Sequence, residues 1–392
     1  MPKPPRTQWK RRIFNAISRA EHGLRSRNSP GAEDWREIRN FLFLQYEAAL
    51  GSVVHATPVF EALKQAIPDA HIAVAASAMA ASVLGNSPYV DRCIVTPNPF
   101  RQFARATTAV RTLVRSMPPG RCCIATTVGN QRTRIALLSL LGGAAVRAGY
   151  TLAPELYDLP LHFHPERGQI EANLDILRRL GHDVSFREPS LFFSEADRDH
   201  AAKLLQSAPE AAARIAFVTQ NSGGQRNQWS QERFAQVIVE LTRRSAVVPI
   251  FVGTACDGPA IDSLRQGLLA PGISMAGKTT VAQLAAVLAQ CDLTVSLDTG
   301  TFHVARAVGL PGVVIAPAWQ SALEWLPVGH ERYRVLQGPR IAEPHPGYAI
   351  DEISVEQVTA AALELLQQFP PSVAQRAVRM QNFLSSSSAL RQ

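Results

Sequence analysis

Short apolar runs alternate with amphipathic stretches along the chain from about residue 39 onward. Short runs that are wholly apolar are typical of parallel strands covered on both faces. We predict such strands at Phe41–Leu44, His71–Ala75, Cys93–Val95 and Cys122–Thr127. Helical periodicity fills two of the intervals, at Pro58–Ala66 and Phe103–Arg115. Strands that alternate with helices predict a doubly wound α/β sheet.

The same pattern recurs in the second half of the chain. We predict strands at Ile215–Val218, Val247–Val252, Leu293–Leu297 and Val313–Ile315, with helices at Gln231–Arg244, Ala260–Gly267 and Val281–Gln290. A linker region at Pro160–Pro189, with a helix near Ile170–Leu180, separates the two sets. Because 392 residues exceed what one core usually organises, we predict two Rossmann-like domains facing a cleft, at 41–185 and 186–345. A final helix, Val355–Gln368, and a tail occupy residues 346–392.

Residues 1–40 form a separate basic arm. Residues 1–27 carry a net charge of +7, which leaves +1 for the rest of the chain. Trp9, Ile13, Ile17 and Leu24 recur at roughly helical spacing, a pattern typical of a helix lying on an anionic membrane surface. The alternatives are a basic tail or a helix packed on the body. No continuous apolar segment of a signal peptide is present, so we expect a cytoplasmic protein that residues 3–27 could hold on the inner face of the cytoplasmic membrane.

The candidate metal motifs are weak. The five cysteines show no metal-ligand spacing, which favours a reducing cytosol. Asp197 and Asp199 match the letters of a metal-binding DxD signature, but they stand at a predicted helix start among charged residues, which indicates a solvated surface. Lys278 lacks the upstream glycine of a nucleoside-triphosphate loop. We therefore predict no metal and no other cofactor.

The segment from Cys291 to His303 carries the most specific candidate chemistry. Asp298 stands at the carboxyl end of a predicted strand, and Thr299 and Gly300 turn the chain into a helix that carries His303. Ligands of open α/β sheets bind at the carboxyl ends of strands, and helix N-termini favour anions. Asp298 could therefore accept hydrogen bonds from sugar hydroxyls, with the two following amides toward a phosphate. The alternative is a helix-capping aspartate and a packing histidine.

A glycine-containing loop, Asn221 to Trp229, joins the first strand of the second domain to a helix. Its amides, with those of Ser222 and Gly223 among them, could cradle a diphosphate. An ordinary turn is the alternative.

Three blocks of the sequence together resemble glycosyltransferase family 9, the lipopolysaccharide heptosyltransferases. The blocks are the strand with its Leu-Gly and Thr-Pro elements (Phe41 to Leu63), the Trp229-to-Phe234 block, and Asp-x-Gly-x-x-His followed by Ala-x-x-x-Gly-x-Pro (Asp298 to Pro311). The resemblance implies a GT-B fold whose C-terminal helix folds back onto the first domain. It also implies an inverting, metal-independent transfer of a sugar, with ADP-heptose the family's usual donor and a lipopolysaccharide-core or related glycan as acceptor. Lys278 and Thr279 are then expected against the donor's nucleoside.

This sequence departs from the family at two positions. Ser52 stands where the family has an aspartate thought to be the general base, and Asn227 stands where it has a lysine that neutralises the diphosphate. Arg226 is the candidate for the missing charge, because a guanidinium can grip phosphate bidentately. Glu47 and His55, near Ser52 on the acceptor side, are candidates for a relocated base. Their alternatives are a surface or N-capping carboxylate for Glu47 and a packing residue for His55. A substrate-assisted reaction and a catalytically weak protein are the other two outcomes.

Two other classes of function stay open. Ser52 and Asn227 also suit a non-catalytic binding protein that kept the two-domain architecture. The basic arm suits nucleic-acid binding, but the body shows no interleaving of aromatic and basic residues to support it, so no nucleic-acid partner is expected.

Overall fold

The computed structural model describes residues 32–221 and 226–385, without the side chains of residues 32–34 and 165. These residues divide into two compact units. The first comprises the described residues up to Gly85 together with Tyr89–Arg187, and the second comprises Asn86–Pro88 and the chain from Glu188 onward. The predicted amphipathic arm, as far as residue 31, lies outside the described residues, as do Ser222 and Gly223.

The first unit is built on a six-stranded parallel sheet. Its strands are β1 (Asn40–Gln45), β2 (His71–Ala76), β3 (Arg92–Val95), β4 (Cys122–Thr126), β5 (Val146–Tyr150) and β6 (Leu159–Leu161). In space they run β3-β2-β1-β4-β5-β6, so the order reverses between β1 and β4. Every residue of β1 is buried, as expected of a central parallel strand covered on both faces.

Helices cover both faces of this sheet. They are α1 (Leu50–Val54), α2 (Thr57–Ala66), α3 (Ala78–Leu84), α4 (Phe103–Arg115), α5 (Thr133–Gly142) and α6 (Gln169–Arg179), with 3-10 turns at Ala32–Glu37, Val128–Asn130, Pro154–Leu156 and Pro165–Arg167. One core cluster joins α4 and α5 to the sheet through Val110, Leu113, Ile135 and Leu138, which pack with Leu42, Leu44 and Ile124. The outward sides of α4 and α5 therefore form one surface of the first unit.

The second unit repeats the architecture of the first. Its strands are β7 (Ala213–Val218), β8 (Val247–Phe251), β9 (Ile273–Ser274), β10 (Leu293–Leu297), β11 (Gly312–Ala316) and β12 (Tyr333–Gln337). They are parallel in the order β12-β11-β10-β7-β8-β9, so this sheet reverses between β7 and β10. Open parallel α/β sheets bind ligands in the crevice at such a reversal, outside the carboxyl ends of the two strands.

The helices of the second unit are α7 (Glu195–Leu204), α8 (Gln231–Arg244), α9 (Gly258–Gln266), α10 (Val281–Ala289), α11 (Gly300–Ala307), α12 (Ala322–Trp325), α13 (Val355–Gln368) and α14 (Val373–Asn382), with a 3-10 turn at Ala255–Asp257. Helix α13 packs within this unit, where Val358, Ala362 and Leu365 enter the core formed by β7, β10 and β11. The fold-back of the C-terminus onto the first domain stays a prediction.

The glycine of the Ala-x-x-x-Gly-x-Pro block ends a helix. Gly309 has φ +67°, a left-handed conformation that L side chains rarely adopt. The Leu310 amide donates back to the Ala305 carbonyl, and the Gly309 amide to that of Arg306. This arrangement closes α11 and returns the chain directly into β11.

The predicted linker at Pro160–Pro189 is wrong over most of its length. Its first residues continue β6, which pairs with β5, and its helix is α6, which packs against α2 in the first unit. The Pro-containing β6 is an edge strand, where a missing amide costs no ladder hydrogen bond, and this explains why the sequence pattern misses it. Within the described residues, no helix combines the length and apolarity needed to cross a membrane.

Candidate functional site

The reversal point of the second sheet carries a buried carboxyl group. Asp298 directly follows β10, and its side chain is 7% exposed. Burial raises the pKa of Asp298 to about 7, and the neighbouring Glu324 carboxylate contributes to this rise in pKa. A carboxyl group near its midpoint at neutral pH can accept hydrogen bonds as a carboxylate and take up a proton, which is a property of functional sites.

His303 lies beside this carboxyl group as a neutral ring. Its Nε2 is 3.6 Å from Asp298 Oδ1, and the ring is buried. Burial lowers the pKa of His303 to about 3, with the charge of Arg306 as the second cause, so the imidazole carries no charge at neutral pH. His303 packs 5.8 Å from Phe302 and 6.1 Å from Trp325, measured between ring centroids. The surroundings of His303 therefore favour the packing interpretation. Its ring also lies directly beside the Asp298 carboxyl group.

Two buried hydroxyl groups at the same reversal point have no hydrogen-bond partner among the described residues. They belong to Thr299, which precedes α11, and to Thr219, which follows β7. No side chain caps α11, so Thr299 does not serve as its capping hydroxyl. Buried polar groups without a partner are rare in folded proteins and are satisfied by water or ligand. Thr219 and Thr299 are therefore candidate ligand contacts on the two strands that flank the reversal.

The side chain of Asn227 connects the ends of two strands at this edge of the sheet by hydrogen bonds. Its Nδ2 donates to the Asp298 carbonyl at 2.7 Å, and its Oδ1 accepts from Asn221 Nδ2 at 2.6 Å. The side chain is 2% exposed. Its amide thus joins the loop after β7 to the end of β10.

Arg226 directly precedes Asn227 and is exposed. Its guanidinium donates to the Pro344 carbonyl at 2.7 Å, while its own carbonyl accepts from Trp319 Nε1 at the same distance. The backbone of Arg226 is thereby anchored, and one guanidinium nitrogen is held in place. No other acceptor for this guanidinium is seen within residues 32–221 and 226–385.

Lys278 and Thr279 lie farther along the same edge. They follow β9, which is two strands from β7, and the Lys278 ammonium donates to the Ser274 carbonyl at 2.9 Å. Gly277 has φ +68°, and a Cβ there would lie 2.8 Å from that of Ala255. This glycine lets the loop lie directly against the turn after β8.

Asp197 has a local role at the start of α7. Its carboxylate accepts from the Ser194 amide at 3.0 Å and from the Ser194 hydroxyl at 2.6 Å, and the Ser194 hydroxyl in turn caps the Asp197 amide. This reciprocal pair is a capping box. The interpretation of the DxD letters as an ordinary helix start is confirmed.

A network of buried amide side chains lies at the reversal point of the first sheet. Gln45 Nε2 donates to Thr127 Oγ1 at 3.0 Å, and Asn130 Nδ2 donates to Gln45 Oε1 at 2.9 Å. Asn130 Oδ1 also accepts from the Tyr46 amide at 2.8 Å. The network fixes the backbone on which the next residue, Glu47, is carried.

Glu47 is half-buried beside Gly129 at this point. One carboxylate oxygen accepts from the amides of Ala48 and Ala49, at 2.9 and 3.1 Å. The other oxygen approaches Gly129 so closely that a Cβ at that glycine would lie 2.6 Å from it. Ala49 is the N-cap of α1, so the capping interpretation of Glu47 applies to one oxygen, and the second oxygen lies beside Gly129.

Ser52 and His55 differ in accessibility. Ser52 is half-buried in α1, whereas His55 ends that helix and is 1% exposed. The structure therefore favours the packing interpretation of His55. Helix α1 also begins at Leu50, so part of the segment predicted as a small-residue loop is helical.

Comparison with known proteins now separates the classes of function. Residues 130–316 match the model of glycosyltransferase family 9 (heptosyltransferase). Over this segment the chain resembles glycosyltransferase family 9. It is thus a glycosyltransferase, and the non-catalytic alternative is not favoured.

The family-9 relatives cover most of this chain. It is 22% identical to lipopolysaccharide heptosyltransferase 3 of Escherichia coli K12 over 348 residues, which is 82% of the chain and 97% of that protein. Its structure resembles a family 9 glycosyltransferase from Veillonella parvula with a TM-score of 0.76, at 21% identity over 84% of this chain and 98% of the other. It also resembles the E. coli ADP-heptose LPS heptosyltransferase II with a TM-score of 0.68, at 19% identity over 83% and 98%. The two structural likenesses confirm the GT-B fold.

Sequence reasoning missed Thr219 and the Glu324 carboxylate in the second unit and the Gln45–Asn130 network in the first. Thr219 follows a correctly predicted strand, so the rule that located Asp298 would also have located it. Glu324 and the network depend on contacts between distant parts of the chain, which a local pattern does not contain.

Proposed function

We propose that this transferase moves heptose from ADP-heptose to a lipopolysaccharide-core or related glycan acceptor, with inversion at the anomeric carbon. The observation that carries the proposal is the buried, readily protonated carboxyl group of Asp298 at the reversal point of the second sheet. The donor class follows from the E. coli relative, whose name specifies ADP-heptose, and the acceptor class follows from the lipopolysaccharide transferases that the chain matches.

The donor is proposed to bind along the carboxyl edge of the second sheet. Asp298 accepts hydrogen bonds from the sugar, while the amides at the start of α11, Thr299, Gly300 and Arg226 meet the diphosphate. Lys278 and Thr279 are assigned to the nucleoside. Charge develops on the diphosphate as it departs, and preorganised donors stabilise that charge most strongly in the transition state.

Replacing Arg226 by alanine is expected to weaken ADP binding by about 1.5–3 kcal/mol, the range for hydrogen bonds to charged groups. Calorimetric titration with ADP measures the effect. Arg233→Ala is the matched control, because Arg233 is a half-buried arginine on α8 that likewise donates to backbone carbonyls. Equal dissociation constants for Arg226→Ala and the unmodified chain would mean that the neutralising charge lies elsewhere.

Glu47 is proposed to take the acceptor's hydroxyl proton in place of the family's aspartate. Glu47→Gln is expected to lower turnover by roughly 10²–10⁴ with little change in ADP affinity, because general-base catalysis contributes about that factor. Gly129→Ala is expected to lower turnover as well, since the added methyl must displace the Glu47 carboxylate. Gly267→Ala is the control, because its nearest neighbour is at an ordinary 3.5 Å.

The converse substitution tests whether the base has moved. If Glu47→Gln is neutral and Ser52→Asp raises turnover, Glu47 is not the base and the natural chain is a weakened transferase.

The function itself is tested by separating binding from turnover. A thermal-shift panel of ADP, UDP, GDP and their sugars identifies the nucleotide, and transfer of heptose to heptose-deficient lipopolysaccharide is then followed by mass spectrometry. NMR of the product's anomeric centre tests inversion. Binding of ADP-heptose without any transfer or hydrolysis would support a binding protein, and preference for another sugar nucleotide would overturn the donor assignment.

A further inference from the structure

The sequence from Arg92 to Pro154 contains nine arginines and no aspartate, glutamate or lysine. Residues 28–392 carry a net charge of only +1, so the rest of the body is net negative. The positive charge of the body is thus concentrated in one segment of the first unit, separate from the basic arm.

Six of these arginines are exposed on or beside the two helices that cover one side of the first sheet. We call them the arginine face: Arg101, Arg105, Arg111, Arg115, Arg132 and Arg134. Helix α4 carries three of them along its length, and two stand at the start of α5. Because α4 and α5 pack side by side, the charges spread over a broad surface rather than converging in a pocket.

None of the six arginines pairs with a carboxylate in the part of the chain that the structure describes. Their local contacts are with carbonyls and rings instead: Arg111 donates to the Leu141 carbonyl at 2.6 Å and Arg134 to the Phe100 carbonyl at 2.8 Å. Arg132 and Arg134 lie 5.2 and 5.6 Å above the rings of Phe100 and Phe103. These contacts orient the guanidinium groups but leave their charge uncompensated.

The helix dipoles add to this uncompensated charge. Neither α4 nor α5 has an acidic residue in its first turn, where carboxylates are favoured, and Arg132 is the N-cap of α5. The positive end of a helix repels a neighbouring cation and attracts an anion, so these two helix starts favour the approach of an anionic partner.

Exposed leucines accompany the arginines. Leu141 is 38% exposed at the end of α5, and Leu152 is 66% exposed. The Leu152 amide donates to the Gln131 carbonyl at 2.7 Å, which places it next to the start of α5. Arginines that reach phosphates while leucines enter the acyl boundary are the pattern of an interfacial surface.

We propose that the arginine face docks on an anionic lipid bilayer. The guanidinium groups match lipid phosphates, because each can bind a phosphate bidentately, and the exposed leucines would have no use against a nucleic acid. The proposal does not depend on the donor or the acceptor.

The test is flotation of the full chain with vesicles of phosphatidylcholine containing one-quarter phosphatidylglycerol, compared with pure phosphatidylcholine. Arg105→Gln/Arg115→Gln is expected to weaken binding to the anionic vesicles about fivefold for each arginine removed. Arg243→Gln/Arg244→Gln removes the same charge from exposed positions on α8 and is expected to leave binding unchanged. Leu152→Gln is expected to weaken vesicle binding while leaving any binding of inorganic phosphate as it was.

Equal losses in the two double variants, or no loss in either, would overturn the proposal. So would a loss in Arg105→Gln/Arg115→Gln that is seen with duplex DNA and not with vesicles. Thermal unfolding of each variant shows whether a loss comes from the fold.

Discussion

Replacing Asp298 by asparagine is expected to lower sugar transfer by about 10²-fold or more. A preorganised polar side chain in a water-poor site contributes about that much when it stabilises the charge that develops in the transition state. The amide keeps the size of the side chain but cannot carry the negative charge. Transfer by the unmodified chain is expected to rise as pH passes about 7, where Asp298 ionises, and the residual activity of Asp298→Asn is expected to lack this rise. Initial rates between pH 5.5 and 8.5 measure both effects.

The same variant has a built-in control for folding. The folded-state pKa of Asp298, about 7, lies above its ordinary value of 3.8, so the proton stabilises the folded chain. That stability is fully present below about pH 4 and is lost as pH rises to about 7, by on the order of a few kcal/mol. Asp298→Asn is expected to unfold in urea at the same concentration as the unmodified chain at pH 4 and at a higher concentration at pH 8. Near-normal transfer by this variant would sink the site assignment.

Removing the Arg376 guanidinium is expected to cost about 3–5 kcal/mol of unfolding free energy, the range for breaking a buried ion pair. Arg376 lies on α14 and donates to Asp292 at 2.9 Å, and its other nitrogens donate to the carbonyls of Glu210 and Ala212. Arg376→Met removes the guanidinium that is hydrogen-bonded to the buried Asp292 carboxylate. Urea unfolding measures the loss.

An exposed arginine provides the comparison. Arg244 pairs with Glu240 at the surface, and Arg244→Met is expected to change stability by less than about 0.5 kcal/mol. A cost below about 1 kcal/mol for Arg376→Met would show that α14 is not held by this pair. Because Asp292 directly precedes β10, the pair fastens the C-terminal helix to the strand that ends at Asp298.

Much of the fold could be predicted from periodicity alone. Helices α4, α8 and α13 have the predicted bounds, because each carries a clear apolar stripe and contains no glycine or proline. Strands β5 and β12 were missed, because Arg147 and Arg334 interrupt their apolar runs. Arg147 is nonetheless buried beside Asp158, 3.6 Å away, so its charge is balanced by a residue that lies outside the strand.

The candidate site divides in the same way. Asp298 could be named as a candidate because strand ends are visible in the sequence, and the rule for ligands at strand ends needs nothing further. Asn227 and Glu47 were named from their places in the chain, but what they do depends on partners about 70 to 80 residues away, the Asp298 carbonyl and Gly129. A local pattern can identify such a residue and cannot say what it touches.

The two sheets share one strand order, with β1 and β4 in the first matched by β7 and β10 in the second. Thr127 after β4 and Asp298 after β10 therefore occupy equivalent positions in two copies of one plan. Among the described residues, the first sheet shares a core cluster with α4 and α5, and the second sheet shares another with α8 and α13. One strand plan thus carries a neutral hydroxyl group in one half and an ionisable carboxyl group in the other, so side chains rather than topology distinguish the two units.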